Sequence, residues 1–186
     1  MASDSVRGTY EDEGVLVHQS PYSESSRITV WLTRQHGILR TLVKGLHRKG
    51  NNAFGVLDLF YQCQISYSLR PKSTLHQLTQ SLCLKTHQPG LLDYHKQLAA
   101  LYCFEVIDVL VEKQTPIPDY YELYLQALGY LETHPASWLL IERFERRALT
   151  LAGLNEPARP LPALRRSAYP HSPKSFQALE KALPRS

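Results

Sequence analysis

The sequence predicts an α+β protein, a small closed five-stranded barrel followed by an all-α helical domain, and three observations carry that reading. Apolar residues alternate with period two from about residue 10 to residue 86, as half-buried strands require. After Pro89-Gly90 the spacing becomes that of amphipathic helices. Turn signals punctuate the first half at short intervals, whereas helix caps punctuate the second. The expected division is a flexible N-terminus at 1–9, a barrel at 10–86 and a helical domain at 87–186.

Five strands are expected, at 12–19, 26–34, 38–44, 57–69 and 74–84. Their separators are Ser20-Pro21 with Ser23, Gln35-His36-Gly37, Gly50-Asn51-Asn52 and Pro71. Ile28, Val30 and Leu32 share one face of the second strand, with Trp31 opposite. In the fourth, Leu59, Tyr61, Cys63, Ile65, Tyr67 and Leu69 face one way, and Phe60 joins Gln62, Gln64, Ser66 and Ser68 on the polar side. Closing five short strands into a barrel removes exposed sheet edges.

The helical domain opens with an apolar-rich helix from Pro89 to Lys113. Asp119 and Glu122 have the spacing of a capping box for a second helix, which continues through Tyr121, Tyr124, Leu125, Leu128 and Leu131. A third carries Ile141, Phe144, Ala148 and Leu151 and stops at Gly153. Five prolines in residues 154–173 make that run extended rather than helical. A last short helix starts at Ser172-Pro173 and shows Phe176, Leu179 and Leu183.

Hydrophobic residues make up 43% of the 186, enough for a packed core. The first nine residues lack an apolar signal region, and Leu98 to Val111 is interrupted by Glu105 and Asp108, so neither a secretory leader nor a membrane span is expected. Cys63, Cys83 and Cys103 form neither a disulfide framework nor a metal pair and read as small core residues. Net charge is +4, but residues 26–85 hold nine basic side chains against Asp58 alone. Residues 1–25 are acidic overall and residues 86–186 are balanced. Positive charge gathered into one block suits a surface that meets a polyanion.

Certain motifs then bring a family into view. Glu13-Gly14-Val15-Leu16-Val17 precedes Pro21-Tyr22-Ser23-Glu24-Ser25-Ser26, and Thr33-Arg34-Gln35-His36-Gly37 forms the next turn. Val43-Lys44-Gly45 leads into a basic loop, and the helical half holds Tyr102, Glu105, Phe144-Glu145 and Leu154. In order and spacing over roughly 10–155 these resemble the RecO family of recombination mediators. The resemblance implies an OB-fold barrel on a helical domain that binds single- and double-stranded DNA and anneals strands without catalysing a reaction. It also implies a cytoplasmic, nucleoid-associated protein that contacts the acidic tail of single-stranded-DNA-binding protein and works with RecR to help load RecA. Many members carry a four-cysteine zinc module after the position of Gly153. The corresponding run here is proline-rich and has no cysteine, so a short form without zinc or any other cofactor is expected.

The DNA-binding residues expected from the charge block are Arg27, Arg34, Arg40, Lys44, Arg48, Lys49, Arg70 and Lys72, since Lys and Arg displace counterions from phosphates. Alternation puts Arg40 and Lys44 on one strand face. Trp31 and Phe60 are the candidates for base stacking, against the plainer expectation that such aromatics are buried. Gly45 and Gly50 have the spacing of a phosphate-binding loop, but Asn51-Asn52 stands where Lys-Ser/Thr is required. Glu11-Asp12-Glu13 reads as a solvated edge that discourages strand pairing. The scattered histidines have no metal spacing, and no nucleophile motif is present. Two further function classes share the charge pattern or the architecture: an RNA-binding OB protein, and a protein-interaction adaptor. In the helical half, Tyr120, Tyr121, Tyr124 and Tyr130 with Arg143, Arg146 and Arg147 are the residues a groove for an amphipathic or acidic tail would use, though helix core and solvated surface are the plainer roles.

Overall fold

A computed structural model describes residues 8–45, 53–70, 73–87, 93–154, 161–169 and 171–183. The chain divides into two units that meet between Thr86 and His87. The first contains β1 (Thr9–Ser23), β2 (Ser26–Thr33), β3 (Ile38–Lys44), β4 (Tyr61–Ser68) and β5 (Leu75–Thr86). They close in the order β1-β2-β3-β5-β4, the expected OB-type barrel. β1 pairs antiparallel with β4 through its first half and with β2 through its second. Register shifts near Val17 and Tyr22 let it serve both neighbours. Closure is completed by a short parallel pairing of Arg40–Leu42 with Leu75–Gln77.

The barrel core is built from Leu16, Trp31, Leu39, Val43, Cys63, Ile65, Tyr67 and Leu78, with Phe54 from the β3–β4 connection. The β4 face expected from its alternation is the one that points inward. On β2 the interior positions are Thr29, Trp31 and Thr33, all buried, whereas Ile28 and Val30 are only partly covered. Hydrogen bonding explains why two hydroxyls are accepted there. Thr29 and Thr41 are register partners whose hydroxyls lie 2.6 Å apart, and the Trp31 indole N–H donates to both at 3.0 Å. A satisfied polar trio is thus packed where unpaired hydroxyls would be costly.

The acidic run is only in part a solvated edge. Glu11 is exposed, but the run pairs with β4, and Asp12 is buried, accepting amide hydrogens from Glu13, Gln35 and His36. A carboxylate at that position ties the β2–β3 turn to β1.

The second unit holds α1 (Tyr94–Leu110), α2 (Pro118–Thr133), α3 (Trp138–Leu151), α4 (Leu161–Ala168) and α5 (Phe176–Ala182). Asp93 caps α1 by accepting from the amides of His95 and Lys96. The expected capping box of α2 does not form. Pro118 occupies the first turn and shifts the N-cap to Ile117, leaving Asp119 as a first-turn acid. Gly153, at φ +77°, ends α3 in a Schellman turn: its amide donates to Thr150 O, and the Leu154 amide donates to Leu149 O.

The proline-rich run is a second correction, because α4 lies inside it. Pro162 sits in the first helical turn, where its missing N–H removes no helix bond. Arg165 on α4 forms a bidentate pair with Glu145 of α3, which is completely buried and also accepts from Tyr102 at 2.6 Å. Glu105 holds the start of α5 through the amide and hydroxyl of Ser175, and the Trp138 indole donates to Leu183 O at 2.8 Å. No helix among the described residues is long and apolar enough to cross a membrane.

Candidate nucleic-acid interface

The core positions Leu39, Thr41 and Val43 force Arg40 and Lys44 onto the outer face of β3, where both are exposed, with buried Leu42 between them. Four residues along a strand separate them, about 13 Å. Their register partners on β2 are Val30 and Ser26; Leu42 faces Ile28. Toward β5, Arg40 faces Leu75 and Leu42 faces Gln77. None of these neighbours is acidic.

Arg70 reaches the same strip from the end of β4. Its guanidinium donates to Gln77 Oε1 at 2.9 Å, and the Gln77 amide donates to Leu42 O at 2.9 Å. Its backbone amide donates to His76 Nδ1 at 3.3 Å. Burial, and then the Arg70 cation, hold His76 below its ordinary value, so the ring stays neutral and can accept that hydrogen. Arg70 is therefore held by two successive β5 residues, its backbone by His76 and its guanidinium by Gln77.

The other expected cations do not all join this strip. Arg27 is exposed but shares the face of its partner Val43, and it donates to Gln19 Oε1 at 3.0 Å. Arg34 lies in the β2–β3 turn, where its amide donates to Glu13 O at 3.0 Å. Arg48, Lys49 and Lys72 lie outside the described residues.

Trp31 and Phe60 are corrected as stacking platforms. Trp31 is fully enclosed, with its N–H committed to the two threonines. Phe60 is buried in the turn before β4, at φ +64°, with its amide donating to Leu16 O at 2.7 Å. Neither offers a ring face to a base. An exposed aromatic surface occurs instead at Tyr10, which sequence reasoning passed over. Tyr10 stacks on buried Tyr67 at 6.0 Å between centroids, and His36 meets both rings edge-on at 6.1 and 5.8 Å. Asp12 fixes His36 through Nδ1 at 2.8 Å. Burial, then the Asp12 charge and Tyr10, pushes the Tyr67 phenol up, so it remains protonated. No residue spacing announces this group, which comes from β1, a turn and β4.

In the helical unit, Tyr120, Tyr121 and Tyr124 are buried, as the plainer expectation had it, while Tyr130 is exposed. Tyr130 borders a cleft of about 250 Å³ between α2 and α3, floored by Leu123, Ala127 and Phe144 and edged by Arg143 and Arg147. No group of three or more His, Cys, Asp or Glu suited to hold a metal occurs among the described residues.

Comparison with known proteins identifies the lineage. Residues 6–87 match the model for the N-terminal part of recombination protein O, and residues 91–155 match its C-terminal part. The chain belongs to the RecO family. It is 29% identical over 141 residues to the DNA repair protein RecO of Rhodopirellula baltica, covering 75% of this chain and 52% of that protein. With the RecO of Bifidobacterium adolescentis it shares 30% over 147 residues, covering 77% and 59%. The RecO of Aliivibrio salmonicida gives 29% over 138 residues, covering 74% and 56%. The chain thus spans about half the length of the curated relatives it matches, and the stretches that match the family models hold the barrel and the first three helices.

Proposed function

We propose that this chain is a non-catalytic DNA-binding protein of recombinational repair, holding and annealing single strands and assisting the loading of RecA. The observation that carries the reading is the outer strip of β3, with Arg40 and Lys44 exposed, Arg70 steered alongside through Gln77, and no acidic register neighbour. Such cations grip phosphates without reading bases, which suits strands of any sequence. Tyr10 and His36 replace Trp31 and Phe60 as the surface on which a base could stack. Arg48, Lys49 and Lys72 extend the same proposal along the chain. Family membership, through relatives named as DNA repair proteins, favours DNA over RNA.

The α2–α3 cleft supports a partner contact within the same function. An apolar floor with Arg143 and Arg147 at its edge suits the acidic tail of single-stranded-DNA-binding protein. It would also serve a pure adaptor, and DNA binding is what separates the two readings. A contact with RecR belongs to this proposal as well, without a located surface.

Fluorescence anisotropy of a labelled single strand across several salt concentrations is the test. Each phosphate contact contributes a slope of roughly −0.7 in log affinity against log salt. The double substitution Arg40→Glu with Lys44→Glu, at two exposed positions, is expected to lower affinity at least about tenfold and to flatten the slope by about 1.4. Unchanged affinity and slope would remove the β3 strip from the site. No binding by the unsubstituted chain at low salt would leave the adaptor, tested by capture of the tail peptide. Tighter binding to RNA in direct competition would reassign the substrate, and hydrolysis with added magnesium would overturn the non-catalytic reading.

A further inference from the structure

The three thiols have different surroundings, and two of them meet. Cys103 is enclosed in the helical unit, where burial pushes its thiol well up. Cys63 and Cys83 are direct register partners across the antiparallel β4–β5 ladder. Directly opposed residues project from the same face with Cα atoms about 4.5–5.5 Å apart, inside the roughly 4.4–6.8 Å that a disulfide spans. Cys63 belongs to the barrel core, but Cys83 is exposed, contrary to its expected place in the core. The Cys63 and Cys83 side chains are within hydrogen-bonding contact. The register shift between Gln62 and Cys63 leaves Leu84 as an extra residue beside the pair, and such bulges loosen and twist a ladder locally.

We propose that Cys63 and Cys83 are an oxidisable dithiol, a modification site at which a low-molecular-weight disulfide converts the pair into a cross-strand disulfide within one chain. Solvent-facing Cys83 reacts first. Its thiolate attacks one sulfur of the small disulfide, a protein-to-small-molecule S–S bond forms, and the other half leaves as a thiolate. Cys63 then gives up its proton to solvent or to that leaving thiolate. Its sulfur displaces the second small thiol from Cys83, closing the Cys63–Cys83 bond. In balance, two protein thiols are oxidised and one small disulfide is reduced to two thiols. The buried partner makes the second step the slow one. Burial first, and then Cys83, pushes the Cys63 thiol up to about 12, so little thiolate exists near neutrality.

The experiment treats the full chain with oxidised glutathione and follows it by intact mass, thiol titration in denaturant and peptide mapping. The expected product is a monomer with one free thiol, Cys103, out of three, and a linked peptide joining Cys63 to Cys83. A glutathione adduct on Cys83 should appear transiently and decay about tenfold faster per pH unit, following the Cys63 thiolate fraction. Cys83→Ser, at an exposed position, should leave Cys63 reduced under the same treatment. A stable adduct on Cys83, a disulfide between chains alone, or three surviving thiols at mildly alkaline pH would each overturn the proposal. Because Cys63→Ser alters the core, the Cys83 variant and the unsubstituted chain carry the test.

Discussion

The two units centre their interiors on different polar groups, although each buries a carboxylate: Asp12 of the barrel sits against turn amides and the His36 ring. The barrel encloses a neutral trio, Thr29, Thr41 and Trp31, in which donors and acceptors satisfy one another. Its cations Arg40 and Lys44 lie on the outside of β3. The helical unit centres on its carboxylate: Glu145 lies inside, gripped by Arg165 and by the hydroxyls of Tyr102 and, at 3.4 Å, Tyr169. Burial, then the neighbouring Glu145 carboxylate, pushes both phenols up, so both stay protonated as donors. The contrast reflects what each arrangement must hold. Strands are already joined by their ladders, and the trio only fills an interior. α4 joins α3 through a few contacts, and a bidentate ion pair supplies direction as well as attraction.

The comparison can be broken most severely at Glu145. Glu145→Ala strands Arg165 and two phenols, and should destabilise the helical unit by about 3–5 kcal/mol in urea titration. The salt-dependent DNA affinity proposed for the barrel should stay unchanged in the same variant, measured below the unfolding transition. Trp31→Phe is the matching test of the neutral trio. It deletes the indole N–H and some volume while leaving the threonine hydroxyls to pair with each other, so the loss should be smaller, about 1–3 kcal/mol.

The smallest effect concerns a single neutral ring. His76 is held below its ordinary value of 6.5, first by burial and then by Arg70. Below about pH 6.5 the unfolded chain takes up a proton that the folded ring refuses, so barrel stability falls as the pH drops from there toward the folded value. Thermal melts between pH 7.5 and 5 should show that decline, and His76→Gln should flatten it. A decline of equal slope in the variant would point to another group.

The sequence revealed what periodicity and punctuation can encode. The inward face of β4 and the stop at Gly153 were both legible, because strand alternation and a left-handed C′ residue leave local marks. The strip at Arg40 and Lys44 was legible for the same reason, since strand parity sets both. β2 misled: Ile28, Val30 and Leu32 form the more apolar row, yet Thr29, Trp31 and Thr33 point inward. Thr41 on the next strand satisfies Thr29 and Trp31, and Gly37 O in the turn satisfies Thr33, pairings that apolar periodicity does not display. α4 was hidden by its prolines, and the contact with Glu145 that fixes it comes from 20 residues earlier. Tyr10 and His36 were missed because their grouping depends on closure of the barrel.

That closure has an uneven circumference. Among the described residues, each antiparallel seam is sewn by seven or eight residue pairs, but the β3–β5 seam has only three, with the Gln77 amide adding one side-chain rung. A ring of staves parts at its weakest joint, so amides 40–42 and 75–77 are where hydrogen exchange should first report opening. Arg40 stands on one side of that joint, and Arg70, held by Gln77, stands on the other. A polyanion laid across both would act as a hoop, drawing the two staves together. Each bound phosphate chain would then slow the opening of the barrel that holds it.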